Sequence, residues 1–125
     1  MSEQELKYTK EHEWIRVEGD IAVIGITDYA QGELGDVVFV ELPEVGEQVK
    51  QMESFGTIEA VKTVADLYAP VSGEIAEKND RIESDPAVIN SDPYGDGWFV
   101  KIKMSDTGEL DKLLSYDDYK PLTEG

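Results

Sequence analysis

The apolar residues of this chain come in short bursts, each closed by a turn-forming residue, and that spacing suits strands, not long helices. The fold is therefore expected to be mostly β. Residues 14–17 and 21–24 flank Glu18-Gly19-Asp20, which predicts a hairpin closed by a short glycine loop. Residues 36–42 are nearly all apolar, the pattern of a strand buried on both faces. Residues 48–75 continue mostly as strands. From Phe99 to Met104 apolar and polar residues alternate, as in a half-buried strand. Leu6-Lys7-Tyr8 is a weak first strand.

Helical signals are few and short. Thr27 or Asp28 can cap a helix running to Leu34, with Gly35 stopping it. Residues 85–90 fit either helix or strand, and residues 91–97 have loop composition. Leu110, Leu113 and Leu114 stand at helical spacing, so a C-terminal helix capped by Ser105 or Asp106 is expected, limited by Pro121. Trp14, Trp98 and these three leucines are expected to pack, not to bind ligands. One internal echo stands out: Pro43-x-x-Gly46-Glu47 recurs as Pro70-x-x-Gly73-Glu74, by chance or as two similar halves meeting near Lys62.

A length of 125 residues predicts a single domain spanning residues 1–125. Asp and Glu number 28 against 11 Lys and Arg, a formal charge of -17. Such a surface repels phosphate, so nucleic acid and anionic membranes are poor partners and basic protein surfaces better ones. No apolar run approaches the roughly 20 residues that span a bilayer, and the acidic start does not resemble a signal peptide. The expected location is cytoplasmic. With no cysteine and only His12 for a histidine, the chain lacks disulfides, a thiol nucleophile and a histidine metal cluster.

Nucleophile and phosphate-loop motifs are absent, and Gly95-Asp96-Gly97 is expected to be structural because Asp96 opposes a phosphate. Lys62 is the one basic residue between Gln51 and Glu77, at a predicted bend between strands. Residue type alone leaves it either a solvated surface lysine or an amine open to acylation.

The surrounding residues are more specific. Glu59-Ala60-Val61-Lys62, then Asp66 and Tyr68-Ala69-Pro70-Val71-Ser72-Gly73-Glu74, resembles the lipoylation segment of the glycine cleavage system H proteins. Tyr8-Thr9-Lys10-Glu11-His12-Glu13-Trp14, Gly25-Ile26-Thr27-Asp28-Tyr29-Ala30, Gly35-Asp36-Val37-Val38-Phe39-Val40-Glu41-Leu42-Pro43 and Ile89-Asn90-Ser91-Asp92-Pro93-Tyr94-Gly95-Asp96-Gly97-Trp98 are similar to that family's other blocks, in its order. The resemblance runs from about residue 6 to 122, with departures at Ala60 and Thr63.

The resemblance implies a lipoyl/biotinyl-type flattened barrel or sandwich, a hybrid motif with short helices. It implies lipoate joined as an amide to Lys62, with Glu59 read by the lipoate-attaching enzyme. The chain would be a carrier and not an enzyme. Its lipoyl arm would visit the pyridoxal-phosphate glycine decarboxylase, the tetrahydrofolate-dependent aminomethyltransferase and dihydrolipoamide dehydrogenase. Glu13 and Asp66, with Glu11 more weakly, are the candidates to hold the cationic aminomethyl end, provided the N-terminal segment passes near the lysine hairpin. Rival readings are a biotin carrier, a relay of lipoyl groups to other enzymes, and a free-standing enzyme. Biotinylated lysines usually lie between methionines, whereas Lys62 lies between Val61 and Thr63.

Overall fold

A computed structural model of the chain describes residues 6–123. Two antiparallel sheets enclose the main core. The larger joins β1 (Lys7–Tyr8), β2 (Glu13–Glu18), β3 (Ile21–Ile26), β9 (Val100–Met104), β8 (Gly73–Lys78) and β5 (Gln48–Val49), in that spatial order. The smaller joins β4 (Val37–Glu41), β6 (Ser54–Ala60) and β7 (Val64–Tyr68). The mostly β expectation holds, and residues 48–75 form strands as expected.

Alternation along the strands explains the packing. Ile15, Ala22, Ile24 and Ile26 face the main core with Val40, Ile58, Leu67, Ile75 and Ile102. Trp14 and Val23, one residue out of phase, face the opposite side and meet Leu6, Tyr8 and Tyr119 in a second, aromatic cluster. Trp14 lies against Gly25: a Cβ there would sit 2.6 Å from the indole, so only glycine admits the ring.

The echo is structural. Gln48 pairs with Glu74 and Val49 with Gly73, while the Gly46 N–H donates to Ile75 O and the Ile75 N–H to Glu47 O. The first copy thus runs opposite residues that follow the second, and the second opposite residues that follow the first, so the two copies meet antiparallel only at their glutamate ends.

The helices are short: α1 (Asp28–Leu34), α2 (Asp80–Ser84), α3 (Ala87–Ser91) and α4 (Tyr116–Tyr119). Thr27 caps α1 by accepting from the Ala30 N–H, and Gly35, at φ 78°, ends it as expected. The ambiguous residues 85–90 fall largely in α3, whereas α2 is not anticipated by any apolar periodicity.

Three expectations need correction. The strand at residues 36–42 is not buried on both faces: Val38 and Phe39 are each 52% exposed. A bulge between Val37 and Phe39 breaks the alternation and leaves both side chains in solvent. Trp98 and Phe99 precede β9, which starts at Val100. The leucine-bearing tail is not an α-helix. Asp106 caps a 3-10 turn over Thr107–Lys112, and the chain then extends so that Leu114 exchanges backbone hydrogen bonds with Tyr8. Leu110 and Leu113 thus pack on the main core and Leu114 on the aromatic cluster. Pro121 does not stop the chain turning, because a further 3-10 turn runs over Lys120–Thr123.

Candidate functional site

Lys62 stands at the tip of the β6–β7 hairpin. The Ala60 N–H donates to Thr63 O at 2.8 Å, which leaves Val61 and Lys62 as the turn residues. The Val61 N–H donates to Asp36 O at 2.9 Å, tying the tip to the segment that follows α1. Lys62 is exposed, and the carbons of its stem run beside Gly35. A Cβ on Gly35 would lie 3.3 Å from Lys62 Cε, so glycine here both ends α1 and leaves a path for the lysine stem. Asn90 fixes that path. Its Oδ1 accepts from the Val37 N–H, and its Nδ2 donates to Gly35 O at 2.8 Å and to Gln31 Oε1 at 3.0 Å.

Next to Gly35 opens a cleft of about 350 Å³. Leu34, Glu33, Ala30 and Tyr29 of α1 form one wall, residues 65–67 of β7 another, and Glu11, His12 and Glu13 a third. The N-terminal segment therefore does pass beside the lysine hairpin, and the three acids singled out from the sequence share one cavity. Trp14 does not join them, because its indole points into the aromatic cluster and donates to Pro93 O.

Glu13 is unlike its neighbours. It is 1% exposed, whereas Glu11 and Asp66 are exposed. Its Oε2 accepts from the Tyr68 N–H at 2.8 Å and its Oε1 from the Thr9 hydroxyl at 3.0 Å. The Tyr68 amide belongs to β7, the edge strand of the smaller sheet, so Glu13 stands in there for a missing neighbour strand. Burial pushes the Glu13 carboxyl up to about 8, against the opposing pull of those two hydrogen bonds.

His12 lines the same cleft at a left-handed φ of 69°. Burial lowers its pKa, while Glu11 and Glu33 raise it. Its Nδ1 shares a hydrogen bond with the Tyr119 hydroxyl at 2.8 Å, and the same hydroxyl lies 2.8 Å from Thr27 Oγ1, the cap of α1. Tyr119 thus ties two walls of the cleft together.

Of the residues singled out from the sequence, Glu11, Glu13 and Asp66 line the cleft and Lys62 and Glu59 do not, while Tyr29, Glu33 and Leu34 line it without having been anticipated. Their spacing on α1 puts them on one helix face, but nothing local says that this face meets the hairpin. Glu59 is exposed on β6, between Phe39 and Val64. The loop around Asp96 is structural: the Asp96 N–H donates to Asp92 Oδ2, and Asp96 accepts from Arg81. Among the described residues no group of three or more His, Cys, Asp or Glu is placed to hold a metal ion, and no helix is long and apolar enough to cross a membrane.

Comparison with known proteins adds three findings. The family model described as Glycine cleavage H-protein matches residues 6–125. The glycine cleavage system H proteins of Staphylococcus carnosus and Symbiobacterium thermophilum are 57% and 58% identical, over 95% and 96% of this chain and 94% of each relative. The crystal structure of a glycine cleavage system H protein from Mycobacterium marinum superposes with a TM-score of 0.89 at 44% identity, covering 98% of both chains. With the whole described fold, the lysine hairpin included, falling inside these matches, the chain belongs to the glycine cleavage H-protein family.

Proposed function

We propose that the chain is the lipoyl carrier of a glycine cleavage system, with lipoate held as an amide on Lys62 Nζ. The observation that carries this reading is the geometry of Lys62, an exposed amine on a braced turn whose stem runs beside Gly35, the residue after Leu34 of a cleft able to shelter an apolar arm. The residues fit the group. The cleft offers Ile26, Leu34, Ile58, Ala65 and Leu67 to a hydrocarbon chain, and acids to a cationic end.

A lipoyl group on Lys62 would supply a redox-active disulfide able to carry an aminomethyl unit between the decarboxylase, the aminomethyltransferase and dihydrolipoamide dehydrogenase. The chain contributes the rest. Lys62 provides reach and mobility, and Glu59 marks the hairpin for the lipoate-attaching enzyme. The walls from α1 and β7 exclude water from whatever enters the cleft. Asp66 and Glu11 stand exposed where they can attract a protonated amine. Glu13 waits deeper and mostly protonated near neutral pH; a cation beside it favours its ionised form, so it releases a proton as it takes on the counter-charge. No residue here serves as a nucleophile or a metal ligand in this reading, and the chain alone is expected not to turn over glycine.

Intact mass after expression with lipoate tests the attachment, with Lys62→Ala as control. A lipoyl mass increment present in the wild type and lost in the variant supports it; a biotinyl increment, or an increment retained by Lys62→Ala, overturns it. For the cleft, the carrier is loaded, the decarboxylase removed and ammonia release timed. Glu13→Gln and Asp66→Asn should release faster than wild type while remaining fully lipoylated. Equal lifetimes would leave shelter to burial alone.

A further inference from the structure

Eight large apolar side chains stand exposed among the described residues, and four of them lie on the hairpin that carries Lys62 or on the strand paired with it: Val38 (52%), Phe39 (52%), Val61 (73%) and Val64 (59%). Phe39, Glu59 and Val64 form one row across β4, β6 and β7, through the pairs Phe39 with Glu59 and Glu59 with Val64. Glu41, Thr57 and Asp66 form the row two residues along, on the same face. Asp36 abuts the tip through its hydrogen bond to Val61. The result is an apolar patch edged by four exposed carboxylates, with the lysine projecting from it. Apolar surface gathered this way marks a contact site. Its rim and the charge of -17 disfavour a second copy of the same face and favour a partner with an apolar seat ringed by Lys and Arg.

We propose that this patch is the docking surface of the enzyme that acylates Lys62, with Phe39 and Val64 as its anchors. The inference rests on Lys62 being the attachment site. Acylation occurs while the lysine is bare. The ammonium gives up two protons, the nitrogen pair forms the amide C–N bond with the carbonyl carbon of an activated lipoyl donor, and the bond from that carbonyl to its activating group breaks, its electron pair leaving on the group. The acyl carbonyl must reach the end of a single lysine stem, so the enzyme has to close over the hairpin tip and press on the residues beside it. Enzymes that act later meet the far end of an arm lengthened by the whole acyl chain, and they can work without covering the tip. The bulge in β4 then has a purpose: it keeps Val38 and Phe39 in solvent, where continued alternation would turn one of them inward.

The test uses the unmodified full chain with lipoate, ATP and a lipoate–protein ligase. Phe39→Thr and Val64→Thr each place a β-branched side chain on an exposed strand position, so both should fold. Val17→Thr, at an exposed strand position on the other sheet, is the control. Each patch variant should lower kcat/KM for lipoylation about tenfold, mainly through KM, with the control within about twofold. Once lipoylated to completion, the same variants should react with the decarboxylase within about twofold of wild type. Unchanged lipoylation kinetics with the acyl group mapped to Lys62 overturns the docking surface alone. Equal losses in both reactions, or a wild-type dimer that the substitutions dissociate, overturns it in favour of a general or self-associating surface. An acyl group mapped away from Lys62 overturns the attachment reading and the docking surface with it.

Discussion

Replacing Glu13 by Gln isolates the energetic weight of one buried acid. In the folded chain the carboxyl titrates near 8, against 4.5 for an ordinary glutamate, because it is desolvated. Between those two values the folded state holds a proton that the unfolded state has released. Stability from this group is therefore complete below about pH 4.5 and falls as pH rises, flattening above about 8. At about 1.4 kcal/mol per pH unit the whole interval amounts to ~5 kcal/mol, an upper bound because water entering the cleft gives the carboxylate partial hydration. Gln cannot titrate. It keeps one oxygen for the Tyr68 N–H, but its NH2 must face Thr9 Oγ1, which already accepts from the Glu11 and Glu13 N–H groups. That mismatch costs about 1 kcal/mol.

Urea titrations of both proteins between pH 4 and 9 measure the difference, and the many surface acids cancel because both chains carry them. Glu13→Gln should be about 1 kcal/mol less stable than wild type near pH 4. The curves should cross a little above pH 5, with the variant more stable by a few kcal/mol above pH 8. A difference that does not change with pH would show that Glu13 is ionised throughout and that its hydrogen bonds, not its burial, decide its charge.

Lys62→Arg should fold with an unchanged melting temperature yet gain no lipoyl mass, since a guanidinium is not acylated by an amine-directed enzyme. Gly25→Ala should lose about 1–3 kcal/mol in urea titrations, because the new Cβ drives the Trp14 indole off the Pro93 carbonyl; no loss would mean the ring has room to move. Tyr119→Phe keeps the ring stacked 4.5 Å from Tyr8 but gives up the hydroxyl between His12 and Thr27, for about 1 kcal/mol and faster amide exchange at Ala30. Association with the decarboxylase should slow as salt is raised, since the -17 charge steers the encounter; a salt-independent rate removes that role.

What the sequence made legible follows a physical line. Elements specified by their own residues were readable: the glycine loop at Gly19, the Thr27 cap and the Gly35 stop. The bend that carries Lys62 was readable because the strand-like runs on either side of it are a local property, whereas residue type alone left the role of the lysine open. Features set by distant contacts were not readable. The β4 bulge depends on register against β6, which leaves no trace in the run Val37-Val38-Phe39-Val40. The tail has helical leucine spacing, but Leu114 gains more from bridging to Tyr8 than a single extra turn would supply. The α1 wall of the cleft depends on where Asn90 clips the backbone, across 55 residues of sequence from Gly35.

Glu13 shows how closely fold and site are joined. A purely structural role at the edge of β7 asks only for an acceptor toward Tyr68 and a partner for Thr9. A neutral amide comes near to meeting both without carrying an ionisable group into the interior. An acid in this place adds a liability that grows with pH. The liability turns into an attraction only when a cation enters, because burial that penalises a lone carboxylate also strengthens its pull on an opposite charge. Asp66 and Glu11, exposed at the same cleft, are in position to draw such a cation in without bearing that cost. The division between two solvated acids outside and one buried acid within is what a shelter for a positively charged group requires, and three equally exposed carboxylates would hold it only weakly in water.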